Sequence, residues 1–196
     1  MKHSWIRSLS VLTLFALTAA VGCETPPRSQ ARRASLMDDA QPTVRRFERE
    51  DPGLRDFMAN AYGYAVFPEI GKGGIIFGGA YGKGVVYQQN RAVGYADMTQ
   101  ASVGAQLGGQ TYAELIVFQT PAALDRFKNN ALTFAANASA VAIKTGAAAA
   151  AKYEDGVAVF TMPRRGLMAE ASIGGQKFTF VTLNEAERRE TATTMP

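Results

Sequence analysis

Histidine and cysteine are almost absent from this 196-residue sequence: His3 and Cys23 are the only examples, both near the N-terminus. From residue 24 onward neither type occurs. Histidine is the side chain that titrates near neutrality, and thiol nucleophiles, disulfides and most zinc sites need cysteine or histidine. The body of the chain is therefore closed to Ser-His-Asp and Cys-His nucleophile systems, to disulfides and to a zinc site of the usual kind. An all-carboxylate metal site would need clustered acids, and no Asp/Glu group has calcium-loop spacing. No metal and no cofactor is expected. Charge of one sign is also scarce. The formal net charge is +4, but Lys2 and Arg7 fall in the leader; without these two, the 21 basic residues become 19 against 17 acidic ones. So small an excess does not argue for a nucleic-acid partner without a clustered basic face.

What the sequence does have begins with a leader. Residues 1–22 combine a basic start (Lys2, His3, Arg7), an apolar run from Leu9 to Leu17 and small residues after it. This is the pattern of a secretory signal, too short and wrongly flanked for a permanent membrane span. It ends in Ala20-Val21-Gly22-Cys23, which resembles the bacterial lipobox, although Ala20 stands where leucine is usual. That resemblance implies a lipid anchor on Cys23; the plainer reading is an ordinary cleaved signal with an incidental cysteine. One acyl chain binds membranes only marginally, on the order of 10⁴ M⁻¹, whereas several anchor firmly. The lipoprotein class carries three, and by its sorting rule Glu24 favours the outer membrane. The expected location is the bacterial cell envelope, on the periplasmic face. Residues 23–33, with Pro26-Pro27, read as a flexible tether, residues 34–183 as the domain and 184–196 as a polar tail.

Within the domain the most informative stretch runs from Tyr62 to Tyr87, YGYAVFPEIGKGGIIFGGAYGKGVVY. Two Gly-Lys-Gly groups, at Gly71-Lys72-Gly73 and Gly82-Lys83-Gly84, read as turns around one short strand. Strand side chains alternate between faces, so Ile75, Phe77 and Tyr81 are predicted to fill a core from one face. The other face, with Gly78 and Ala80, is nearly bare. Glycine within a strand marks a bulge, a bend or the close approach of something else. Two readings stay open for the bare face: a sharply bent sheet with a helix packed on it, or a lipid or other ligand lying there with Lys72 and Lys83 at the rim.

Neither Gly-Lys-Gly group is a nucleotide loop. A Walker loop places its first glycine where this chain has Val66 or Phe77, and glycine rather than Ser/Thr follows each lysine. The dinucleotide fingerprint fails at Ile76 and Tyr87. What remains is anion contact without catalysis, through backbone N–H groups and a flanking cation.

Elsewhere the punctuation is regular. Leu36, Ala40, Val44 and Phe47 fall at near-helical spacing, with Pro42 predicted to kink or split the segment. Asp51 is placed to cap a second short helix carrying Leu54, Phe57, Met58 and Ala61. Strands are predicted at 64–67, 74–81, 85–89, 92–96, 102–107 and 112–119, and again at 156–162, 167–173 and 177–182. Thr120-Pro121 opens a helix with Leu124 and Phe127 as its buried pair. The fold class is therefore α+β, a mostly antiparallel curved or barrel-like β-sheet with a few short helices.

The pattern AVFPEIGKGGIIFGGAYGKGVV resembles the SYLF domain, a lipid-binding module of bacterial lipoproteins and of eukaryotic membrane-trafficking and actin-patch proteins. The likeness runs from about Ala34 to Val181. It implies an extended segment in the alanine-rich 134–143, where propensity alone would favour helix; residues 146–152 stay undecided. It also implies acidic-phospholipid binding, so Lys72, Lys83 and the Arg164-Arg165 turn are the candidate contacts for lipid phosphates. Two classes of function follow. The first is a non-enzymatic, lipid-anchored envelope protein that binds phospholipid or another amphiphile, its partners being the membrane through the acyl anchor and an anionic lipid. The second is a structural or protein-interaction module of the envelope with no lipid ligand and a protein partner that the sequence does not identify. A hydrolase would need a carboxylate pair such as Asp97 with Glu114, and spacing gives no support for one.

Overall fold

The computed structural model of the protein describes residues 30–75, 77–130, 133–135 and 140–194. Helices α1 (Gln30–Glu50), α2 (Leu54–Ala59), α3 (Pro121–Lys128), α4 (Ala147–Ala150) and α5 (Leu183–Thr194) surround one sheet. Its strands are β1 (Gly63–Gly74), β2 (Phe77–Gln88), β3 (Arg91–Phe118), β4 (Thr133–Ala135), β5 (Ala140–Ala142) and β6 (Val157–Thr182). Only the β5–β6 pairing is parallel among those described. This is the expected mostly antiparallel, curved α+β architecture.

The curvature comes from β3. Its first half pairs with β2, its second half with β1, and β1 and β2 pair with each other. A strand that borders both arms of one hairpin has to bend around it. β6 follows β3 along the outside, from Gly94–Thr182 to Phe118–Val157, with one register shift beside Tyr112. The short strands predicted across 92–119 and 156–182 are thus two long ones. Gly108-Gly109 does not reverse the chain; Gly108, at φ +118°, sits where β3 passes from β2 to β1. Pro163 to Gly166 is likewise no turn but an irregularity within β6. The predicted Gly-Lys-Gly turns are corrected too. Both triplets lie inside paired strands, and the chain reverses between Gly74 and Phe77.

The curl gives the sheet two apolar faces. The outer face, with Tyr64, Val66, Val85, Tyr87, Leu115, Val117 and Phe160, is covered by α1, α2, α4 and α5 through Ala40, Val44, Phe47, Leu54, Ala148 and Ala186. The inner face gathers Phe67, Ile70, Met98, Tyr112, Ile116, Phe118 and Phe178, closed at one end by Leu124 and Phe127 of α3. There the Thr120 hydroxyl accepts from the Ala123 N–H at 3.2 Å, the predicted cap.

Helix α1 is continuous through Pro42, whose ring denies the ladder one N–H. Ala40 before the proline and Val44 and Phe47 after it pack on the same core, and the Thr43 hydroxyl donates to the Asp39 carbonyl at 2.7 Å. Packing on both sides outweighs the local cost. The helix also starts at Gln30, within the residues predicted as tether, because buried Arg33 docks on α5, donating to the Ala186 carbonyl at 3.2 Å and pairing with Glu190. That docking helix, Leu183–Thr194, takes up most of residues 184–196, predicted as a polar tail.

The small-residue segment is extended at β4 and β5, as the resemblance implied, and α4 takes up part of 146–152. Asp51 joins the two helical pieces beneath the sheet: its carboxylate accepts from the Gly53 N–H at 3.2 Å and from the Ala148 N–H at 2.6 Å.

Candidate functional site

The site grows from the hairpin of β1 and β2. On β2 the inward positions are Ala80, Gly82, Gly84 and Val86, and glycine is required because β1 lies against them. A Cβ on Gly82 would stand 2.5 Å from Ile70 Cγ1, and one on Gly84 2.7 Å from the Phe67 ring. The bare face is therefore filled by side chains of the neighbouring strand. The sheet is bent, as the first reading had it, but beside Gly82 and Gly84 that face holds neither a helix nor a ligand cavity. Consequently the bulky positions turn outward: Ile75 is 68% exposed, Phe77 78% and Tyr81 44%. Their predicted place in a core is overturned.

A second set of glycines makes the outer surface at this end flat. Gly73 is in register with Gly79 on β2 and with Gly109 on β3, so three adjacent strands carry glycine side by side. A Cβ on Gly71 would meet nothing within 4 Å, and on Gly73, Gly79 or Gly109 only one backbone oxygen at 3.6 Å. Beside this floor lies an open depression of about 450 Å³ lined by Gly71, Lys72, Gly109, Gln110, Thr111 and Arg165. Thr111 brings a buried hydroxyl that makes no hydrogen bond among the described residues.

Lys72 on β1 and Arg165 on β6 both line the depression, from opposite faces of the sheet: Arg165 is in register with Thr111 and Gly71, Lys72 with Gln110. Lys83 and Arg164 do not line it. The Lys83 ammonium donates to Asp97 Oδ1 at 3.0 Å and stands 5.2 Å from the centre of the Tyr81 ring. Asp97 is only 6% exposed; burial raises its carboxyl above the ordinary value, and the Lys83 bond offsets part of that. Arg164 donates to the Pro68 carbonyl at 2.6 Å and lies 3.5 Å from Glu69 Oε2. Cys23, the candidate anchor site, lies outside the described residues.

Glu114, which in the sequence only interrupts an apolar run, is the most perturbed group here. It is 1% exposed on the inner face, and its carboxylate accepts from Gln176 Nε2 at 3.0 Å. Its partner along the sheet is Thr161, whereas Gln176 pairs with Gln100; the bond therefore spans the inside of the curl. Burial pushes the carboxyl up to about 7 against that single hydrogen bond. Glu114 Oε1 and Gln100 Nε2 find no partner among the described residues. Asp97 is on the opposite face of β3, beside Lys83, so the carboxylates Asp97 and Glu114 form no common site.

Comparison with known proteins bears on this arrangement. Residues 99–186 match the family described as Ysc84, Las17-binding protein actin regulator. Over 156 residues the chain is 30% identical to the beta cell expansion factor A of Aeromonas veronii, an alignment covering 78% of this chain and 59% of that protein. The chain thus spans about three-fifths of that relative's length.

Proposed function

Since the chain carries a domain of the SYLF (Ysc84) family, matched over residues 99–186, we propose that it is a lipid-anchored protein of the bacterial envelope whose domain binds anionic phospholipid or a similar amphiphile without catalysing a reaction. The observation that carries this reading is the open depression beside a backbone floor of glycines, with Arg165 on the glycine face and Lys72 at the same level of the sheet. Open glycine backbone lets a headgroup approach closely, and a cation beside it supplies charge that an anionic headgroup needs. The anchor on Cys23 would keep the domain at the membrane, so a weak headgroup site suffices once the local concentration of lipid is high.

Each basic residue close to an anionic surface contributes about 1 kcal/mol, so losing two lowers affinity roughly thirtyfold. Protein beginning at Glu24 should sediment with phosphatidylglycerol vesicles at low salt and be released at high salt. The Lys72→Ala/Arg165→Ala pair should bind in the weakened range, while Lys83→Ala should act mainly through folding. Undiminished sedimentation of the pair would remove their assigned role. Absence of vesicle binding, with a protein crosslinked to the domain in cells, would replace this reading with that of an interaction module.

A further inference from the structure

Ile75 and Phe77 are large apolar side chains held in solvent at the β1–β2 turn, more than two-thirds exposed each. Nothing in their local geometry hides them. β1 and β2 stay paired up to Gly74–Gly78, so Ile75 and Phe77 stand at the end of a paired ladder. Tyr81, an aromatic with a polar end, follows on the same face of β2 as Phe77 and is 44% exposed.

The cations stand at a definite level behind this turn. A strand rises about 3.3 Å per residue. Lys72 therefore lies roughly 10 Å from Ile75 along β1. Arg165 is at the same level, because it pairs with Thr111, which pairs with Gly71. Lys83 is twice as far back and already bound to Asp97. Interfacial segments bury apolar side chains about 5–10 Å into the headgroup–acyl boundary, and aromatics with a polar end settle at headgroup depth.

We propose that the β1–β2 turn is the element of this domain that enters an anionic bilayer, with Ile75 and Phe77 below the phosphate level and Lys72 and Arg165 at it. This rests on the lipid-binding reading above and adds to it a depth and an orientation. A bilayer is the occupant that fits because apolar and cationic groups are layered along the strand direction, apolar foremost. A protein partner gains little from so narrow a patch, since stable protein interfaces bury about 800 Å² on each side. Once the turn is inserted, the glycine floor and its depression stand at the headgroups on the Arg165 face of the sheet, with Lys72 at the same level on the other face.

The test uses the full chain with Cys23→Ser, which leaves Phe77→Cys as the only thiol for an environment-sensitive fluorophore. A second protein, Cys23→Ser with Ala149→Cys, carries the same label on exposed α4. On vesicles of phosphatidylglycerol and phosphatidylcholine, the label at position 77 should shift to the blue and be quenched by lipids brominated near the top of the acyl chain. The label at position 149 should do neither. In unlabelled protein, Phe77→Ser should lower vesicle affinity about tenfold while the salt dependence persists. Circular dichroism unchanged from the parent would show that the exposed substitution left the fold intact. A label at position 77 that stays water-exposed on vesicle-bound protein would overturn the insertion while leaving the lipid-binding reading standing. Failure of the unlabelled chain to bind these vesicles at all would overturn both.

Discussion

Replacing Glu114 by glutamine should stabilise this protein, and only above a definite pH. The folded carboxyl titrates at about 7 against an ordinary value of 4.5, so the folded state holds its proton more tightly than the unfolded chain does. Linkage then fixes the sign: the group's favourable contribution is complete below pH 4.5 and is lost as pH rises to about 7. Each pH unit between the two titrations is worth about 1.4 kcal/mol, which puts the cost of ionising in place at about 3 kcal/mol. Glutamine keeps an oxygen to accept from Gln176 Nε2 and has no charge to desolvate. Urea unfolding of the two proteins should therefore coincide in acid and diverge by about 3 kcal/mol above neutrality, with a rise in Tm of roughly 6–12 °C at alkaline pH. Stability profiles that run parallel across the whole pH range would refute the reasoning, since they would mean that Glu114 titrates alike folded and unfolded.

The remaining expectations are simpler. Gly84→Ala should cost about 1–3 kcal/mol by overpacking against the Phe67 ring, whereas Gly71→Ala, where a new Cβ meets nothing within 4 Å, should change stability by less than about 0.5 kcal/mol; equal effects in chemical denaturation would contradict the assignment of the two faces. Lys83→Ala should destabilise by about 1–3 kcal/mol because it leaves nearly buried Asp97 without its cation, and Lys83→Ala/Asp97→Asn should recover part of the loss; a double variant no better than the single would discount the pair. Asp51→Ala removes the acceptor of the Ala148 and Gly53 N–H groups and should cost about 1–2 kcal/mol by thermal melting. Hydrogen bonds from those backbone groups lower the Asp51 carboxyl below its usual range. Its contribution should therefore be full at neutral pH and vanish as pH falls through the lowered value, so acid melts of the variant and the parent should converge.

How much of this was legible beforehand differs from one element to the next. The helix cap at Thr120, the buried pair Leu124 and Phe127, the start of a helix after Asp51 and the mostly antiparallel class all followed from local rules, because each depends on residues a few positions apart. The hairpin around Gly74–Phe77 could be placed to within a few residues, but its turn was assigned to the wrong glycines. Lys72 and Arg165, 93 positions apart in the sequence, could be nominated as basic residues in glycine-rich contexts. Nothing in their spacing brought them to one depression or set Lys83 and Arg164 apart from them. Glu114 carried no signal beyond being an acid in an apolar run.

What the chain by itself determined is the alternation along β2, with bulky Phe77 and Tyr81 on one side and small Ala80, Gly82 and Gly84 on the other. Which side faces inward was decided in three dimensions. Alternation fixes only relative facing, and burying either face satisfies it. The choice was made by β1, whose irregularity between Val66 and Glu69 sets Phe67 and Ile70 against the glycines of β2. It was made as well by β3 bending round the hairpin, so that the inner volume is filled from neighbouring strands and the large residues of β2 are left outside.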